Sequence, residues 1–439
     1  MAAVAMGAQQ KLSRARSVVV ASTSATGWRS IVRVASGNFL EMYDFMVFGY
    51  YAAAIGHAFF PSGNPYLSLL LSLATFGAGF LMRPLGALVL GAYADRHGRR
   101  AGLLLTLSLM SIGILSIACT PGYATLGALA PILVLIGRLL QGFSAGMELG
   151  GVSVYLAEIA PPGRKGFYVS WQSASQQVAV MLAASVGVVL ASSLSPQAMD
   201  QWGWRVPLLL GCSIVPCLFV LRRSLPETDE FAARQHRPGT ADILASLRSN
   251  WQVVLIGAFL VVMTTVSFYM ITAYTPTFGS SVLNLSSADS LWVTLCVAVS
   301  NLLWLPVMGS LSDRIGRKPL LLACTLALLV SAYPMMSWLT AAPSFSRLLG
   351  TELWLSFLYA SYNGPMVVFL IELVPVSVRT TGFAVAYSLA TAIFGGFTPA
   401  ICTYLIHTFH NPAIPGLWLS FAAACGLGAV LLAKSPEHE

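Results

Sequence analysis

The chain alternates long apolar stretches with short clusters of charged and turn-forming residues. A helix that crosses a bilayer needs about 20 mostly apolar residues, because the hydrocarbon core is about 30 Å thick and each residue rises about 1.5 Å. Stretches of that kind occur at 34–58, 68–93, 101–119, 128–157, 166–191, 204–222, 251–276, 289–311, 319–341, 349–373, 381–406 and 415–433. They lack the short in-and-out alternation of a membrane barrel, so the pattern predicts twelve transmembrane helices.

The long hydrophilic stretch at 222–250 carries nine charged residues in 29 and divides the spans six and six. The chain then reads as a tail at 1–33, a six-helix bundle at 34–222, a linker at 223–250, a second bundle at 251–433 and a tail at 434–439. An internal repeat supports the division. Gly91, Asp95, Arg96, Gly98, Arg99 and Arg100 are matched by Gly309, Asp313, Arg314, Gly316, Arg317 and Lys318 at an offset of 218 residues. Glu158, Pro161, Arg164, Gly166 and Phe167 are echoed by Glu372, Pro375, Arg379, Gly382 and Phe383 at an offset near 214. Six spans per repeat is an even number, so both halves enter the membrane from the same side. The fold class that follows is an all-α membrane protein made of two pseudo-symmetric six-helix bundles.

Composition agrees with lipid as the main solvent. Of 439 residues 9% are charged and 56% hydrophobic, whereas a soluble domain carries about 25% charge. The seven cysteines are scattered without paired or ligand-like spacing, so neither a disulfide scaffold, a metal site nor a cofactor is expected. A net charge of +8 suggests nucleic acid only until the cations are located. With a cytoplasmic amino terminus, 20 of the 24 Lys and Arg fall on the cytoplasmic side, Arg205 and Arg347 fall opposite, and Arg83 and Arg138 lie inside spans. The positive-inside rule therefore places both termini in the cytoplasm and removes nucleic acid as a partner.

Charge inside a span costs at least about 2.5 kcal/mol near the bilayer centre and implies a task. The clear cases are Glu41, Asp44, Arg83, Arg138 and Glu148, all in the first half. Asp44 lies about 16 Å along the first helix from Arg33, and Arg83 about 18 Å from Asp95, so both fall near the midplane. Glu41 and Asp44 share a stripe with Asn38, and Gln141 aligns with Glu148 on a polar face of the fourth helix beside Arg138. The fifth helix contributes Gln172, Ser175 and Gln176 at helical spacing. A buried carboxylate beside an arginine is poised between protonated and ionised, because burial and the cation act in opposite directions. Asp44 with Arg138 is the leading proton-coupling pair, with Glu148 and Glu41 as further candidates; the alternative is a permanent salt bridge. At the helix ends, Asp95 among Arg96 and Arg99, Glu158 with Arg164, and Glu372 with Arg379 are candidate latches that break when the bundles rock, and Asp313 and Arg314 repeat the Asp95 cluster in the second half. The alternative is that these charges only set topology.

These residues also carry a resemblance. GAYADRHGRR at 91–100 and GSLSDRIGRK at 309–318 resemble the loop signature of the major facilitator superfamily, and GRLLQGFSAG at 137–146 resembles its fourth-helix motif. SGNFLEMYDF at 36–45, FLMRPLGA at 80–87 and SAGMELGG at 144–151 resemble the metabolite:proton symporter branch. The string at 141–177, with VRTTGFAVAYSLATAIFGGFTPAI at 378–401, is similar to citrate-carrying members of that branch. The resemblance spans residues 29 to 433 and implies a monomeric carrier of the bacterial inner membrane that takes up citrate or a related tricarboxylate with protons. Arg83, of the type that binds carboxylates bidentately, is then the substrate anchor, unless it pairs permanently with Glu41 or Glu148. Asn38, Gln172, Ser173 and Gln176 in the first half and Tyr269, Tyr359, Asn363 and Tyr387 in the second are the remaining contact candidates. Tricarballylate, a dicarboxylate or an osmolyte are competing cargoes, and a non-transporting sensor is a further reading. The chain has no nucleotide-binding loop and is not expected to be an enzyme.

Overall fold

In the computed structural model, residues 39–97, 99–146, 148–223, 248–375 and 379–433 are described. The tails, most of the 223–250 linker and Asn38 lie outside them. Twelve membrane helices follow in chain order. In the first half they are α1 at 39–59, α2 at 65–97, α3 at Arg99–Cys119, α4 at 129–158, α5 at Lys165–Ser193 and α6 at Arg205–Arg223. In the second half they are α7 at Trp251–Val282, α8 at Ser287–Ile315, α9 at Arg317–Ala341, α10 at Phe345–Leu373, α11 at Arg379–Phe409 and α12 at Pro415–Leu432. Every predicted span is helical over its described part, and no strand occurs among the described residues.

Several helices run past the apolar stretch that revealed them, because polar caps rather than hydropathy set their ends. Asn64 accepts from the Tyr66 amide with Pro65 in the first turn of α2, Ser286 accepts from Asp289 at α8, and Ser344 accepts from Arg347 at α10. Gly316 takes φ +90° between α8 and α9, a conformation that only glycine adopts without strain, which explains a glycine in that loop motif. The C-terminal part of α7 is not regular: π-helical turns at Met270–Tyr274 and Phe278–Val282 flank Thr275–Thr277, and α11 has another at Thr391–Gly395. No apolar periodicity announces such turns, which commonly accompany functional positions.

Between α2 and α4 the backbones touch. A Cβ on Gly142 would collide with the Gly79 carbonyl, and one on Gly86 with the Phe143 carbonyl. Close approach through small residues is the usual way membrane helices associate, since lipid gives apolar side chains no reason to leave it. Here it brings the chain segments bearing Arg83 and Arg138 together. The halves meet along α5 and α8, where Gly166 and Gly309 pack backbone to backbone, and through α2 and α11, where Phe397 lies on Gly77 and Phe80 on Gly396. Large apolar side chains such as Val220, Val330 and Leu432 are exposed, as a lipid-facing surface requires.

Candidate functional site

Two ion pairs occupy the interior of the first half. Arg138 Nη1 donates to Asp44 Oδ2 at 3.0 Å and also to Gln141 Oε1, with both ionic side chains essentially unexposed. Arg83 Nη2 donates to Glu41 Oε1 at 2.7 Å, again buried. One turn of α1 separates the two carboxylates, and the Phe45 ring lies between the cations, 5.0 Å from the Arg83 guanidinium carbon and 5.1 Å from that of Arg138. Phe80 covers Arg83 at 4.5 Å and Phe48 covers Arg138 at 3.8 Å. Aromatic faces hold a guanidinium by its charge without consuming its hydrogen-bond donors. Sequence reading missed this cage; its signal was the pair of aromatic repeats Phe45/Phe48 and Phe76/Phe80 at helical spacing.

Neither pair is a closed bidentate fork. Nε and Nη2 of Arg138, Nε of Arg83 and Oδ1 of Asp44 have no hydrogen-bond partner. A buried ion pair with unfilled donors is costly to bury and readily rearranged when a further anion or a proton arrives. Asp44 with Arg138 is the predicted pair, and of the two partners left open for Arg83 the structure has Glu41. The Glu148 side chain lies outside the described ones.

The second half brings phenols to the same place. Tyr269 packs edge-on against Phe76 and Phe80, with centroids 6.0 and 5.1 Å away. Tyr269 and Tyr387 lie within electrostatic range of both Arg83 and Glu41, and Tyr359 lies within range of those two phenols. Four of the predicted contact residues, Arg83, Tyr269, Tyr359 and Tyr387, are thus assembled across the halves. Others are buried in polar company: Ser173 donates to Gln172 (2.9 Å), and Gln177 accepts from Asn301 of α8 (3.3 Å). Gln176 is buried as well. Nε2 of Gln141 and Gln172, both amide atoms of Asn363, and the hydroxyls of Thr265 and Thr391 have no protein partner. Buried polar groups are ordinarily satisfied, so this concentration suits a polar ligand or water.

At the basic loops the structure corrects the expected partners. Asp313 accepts from the Gly166 and Phe167 amides at the start of α5 (2.8 and 3.0 Å), and its own i+4 neighbour Arg317 holds it at 2.8 Å. Arg317 also reaches Glu372 at 3.4 Å. Arg379 is therefore not the partner of Glu372, and Arg314 is exposed and pairs with neither acid. The reason is helical geometry, since Arg317 opens α9 beside both carboxylates while Arg314 projects outward. Glu158 and Arg164 are exposed and form no ion pair with each other. The Asp95, Arg96 and Arg99 side chains lie outside the described ones.

Contrary to the expectation from sequence, buried charge within the spans is not confined to the first half. Glu352 of α10 is fully buried and is not part of any salt bridge among the described residues. It stands close to the end of its span, where a sequence alone cannot distinguish a side chain that reaches water from one turned into the protein.

The arrangement is that of a membrane carrier: two repeated bundles, irregular helices and ionic side chains buried at their junction. The chain belongs to the sugar (and other) transporter family, whose pattern matches residues 30–250 and 231–433, and it has the twelve-helix fold of the major facilitator superfamily. It is 57% identical over 412 residues to a citrate-proton symporter of Salmonella typhi, covering 94% of this chain and 95% of that one. A citrate-proton symporter of Klebsiella pneumoniae is 59% identical over 398 residues, covering 91% and 90%. The xylose transporter of E. coli, solved in a partially occluded inward-open conformation, superposes with a TM-score of 0.72 at 20% identity over 91% of this chain and 97% of its own. That likeness carries the fold alone.

Proposed function

We propose that this protein takes up citrate together with protons by alternating access. Proton coupling rests on one observation above all: the buried Asp44–Arg138 pair, held by a single hydrogen bond at 3.0 Å with donors to spare. Protonation of Asp44 removes the charge that retains Arg138, and the released guanidinium is then free to bind a carboxylate. Citrate is favoured as cargo by the identity to the two citrate-proton symporters. Arg83 serves as anchor once Glu41 yields to substrate, with Tyr269, Tyr359 and Tyr387 as neutral donors that suit the carboxylate and hydroxyl groups of the ligand. Glu148, Asn38, Gln172, Ser173, Gln176 and Asn363 complete the proposed set.

Bundles 34–222 and 251–433 rock about this centre. Asp313, bound to the positive end of the α5 dipole, is the latch of the basic face, supported by Arg317 and Glu372. Charge asymmetry supports placing that face and both termini in the cytoplasm, with the chain a monomer in the bacterial inner membrane, surrounded by lipid and without a nucleic-acid partner. The test is accumulation of labelled citrate in proteoliposomes under an imposed proton gradient. An uncoupler should abolish accumulation and leave exchange; accumulation that ignores the gradient would sink proton coupling. Tricarballylate, dicarboxylates and osmolytes as competitors test the choice of cargo.

A further inference from the structure

Helices α2 and α11 meet along a seam that runs from the Arg83 anchor to the end of the molecule away from the basic loops. Three contacts between the halves mark it. Farthest out, His407 of α11 stacks on Tyr66 of α2 with ring centroids 3.8 Å apart. Next, a Cβ on Gly77 would stand 2.5 Å from the Phe397 ring. Innermost, a Cβ on Gly396 would stand 2.5 Å from the Phe80 ring. As α2 advances from Tyr66 through Gly77 to Phe80, α11 recedes from His407 through Phe397 to Gly396, so the pairs are successive levels of one antiparallel contact.

The Phe80 level also touches the anchor. Its ring covers the Arg83 guanidinium at 4.5 Å, and its other sides are occupied by Phe45 at 4.5 Å, Phe76 at 5.2 Å and Tyr269 of α7 at 5.1 Å. The ring has no exposed surface, so it has no room to turn aside. Two adjacent glycines at the close of the π turn Thr391–Gly395 receive one aromatic neighbour each. A Cβ on Gly395 would collide with Thr265 Oγ1 and stand 3.0 Å from Tyr269 Cδ2, both of α7 in the same half, whereas Gly396 faces Phe80 from across it. Gly396 has φ −60° and ψ −33°, ordinary right-handed helix, so its backbone does not require glycine. What requires glycine there is the ring laid against it.

We infer that Phe80 is a positioning residue that ties the anchor to closure of the seam. Its face holds the Arg83 guanidinium in place while leaving Nε, which has no hydrogen-bond partner, open to a carboxylate. Its edge seats on Gly396. Parting of α2 from α11 pulls that edge from its seat and takes Tyr269 from the ring, so the cover over Arg83 loosens on the side where the seam opens. Return of the ring to Gly396 closes the seam over a carboxylate bound to Arg83. Ligand entry and closure are thereby joined through one side chain, in a layer packed too closely to absorb an added methyl group. The inference rests on the carrier reading above, with Arg83 as the anchor.

Spin labels at Gly63, just before α2, and Phe409, the last residue of α11, report the width of the seam; both positions are exposed at the end away from the basic loops. They are placed in the full chain in nanodiscs, with native cysteines replaced by alanine and without citrate. Gly396→Ala drives a methyl group against the boxed ring and should add a longer distance population. Gly428→Ala of α12, where a Cβ meets nothing within 4 Å, should keep the wild-type distances. Adding Phe80→Ala to Gly396→Ala removes the ring atoms at 2.5 and 2.6 Å and should recover most of the short population. If Gly396→Ala alone does not insert, recovery of insertion by Phe80→Ala reads the same contact. Phe80→Leu keeps apolar bulk but not the aromatic face; it should stay closed and bind citrate about tenfold more weakly in calorimetry, the scale of a buried cation–π contact. A role in packing alone leaves that affinity unchanged. An unaltered distance in Gly396→Ala, a longer distance that Phe80→Ala does not reverse, or wild-type citrate affinity in Phe80→Leu would each overturn the inference. Failure of the carrier reading looks different: the wild type does not bind citrate, and the distances still decide whether the seam turns on Phe80 and Gly396.

Discussion

The two halves share a six-helix plan but treat buried charge in opposite ways. In the first half Glu41 and Asp44 each have an arginine, at 2.7 Å and 3.0 Å, and each arginine rests on phenylalanine rings. In the second half the buried acid Glu352 forms no salt bridge among the described residues, and phenols such as Tyr269 lie near the ion pairs of the first half. In the proposed mechanism the paired carboxylate of Asp44 is a switch that frees its arginine when the proton arrives. Duplication therefore preserved the scaffold while the electrostatic work was divided between its copies.

Removing the switch should have the largest effect. Asp44→Asn is expected to abolish uphill citrate accumulation while retaining citrate binding, read by proteoliposome uptake against thermal shift; uphill transport in that variant would move the coupling site elsewhere. Next in size is stability. Arg138→Ala leaves Asp44 buried and uncompensated, a loss of about 3–5 kcal/mol for a broken buried pair. Unfolding in detergent should show it, and the double change with Asp44→Asn should recover most of it without restoring coupling. Arg83→Lys replaces a planar fork by a point charge and should weaken citrate binding about tenfold; unchanged affinity in calorimetry would reduce Arg83 to a structural partner of Glu41. The smallest effect belongs to the latch. Asp313→Asn removes the charge at the α5 terminus, worth about 0.5–1 kcal/mol, and should raise labelling of a Ser170→Cys probe from the basic side.

Much of this was legible beforehand, for identifiable reasons. Spans were readable because lipid forbids unpaired backbone and tolerates little charge, and Asp44 with Arg138 because isolated charges in apolar helices need partners. What could not be read were choices between partners at equal helical distance. Arg83 had Glu41 and Glu148 to choose from, and Glu372 took Arg317 rather than Arg379 because α9 begins beside it. Glu352 was overlooked because, so near a helix end, it has the same sequence environment as a side chain that reaches water.

By itself the sequence determined the twelve helices, their duplication, the bias of cations to one face and the set of charges placed in the membrane. Those properties follow from hydropathy and periodicity, which act residue by residue along one chain. Tertiary structure alone decided which charges met, that Phe45 lies between two guanidiniums, that α7 loosens into π turns where it docks on α1, and that buried Glu352 forms no salt bridge among the described residues. These depend on helix rotation and close backbone approach at positions such as Gly142. No pattern within a single helix encodes what its neighbour presents.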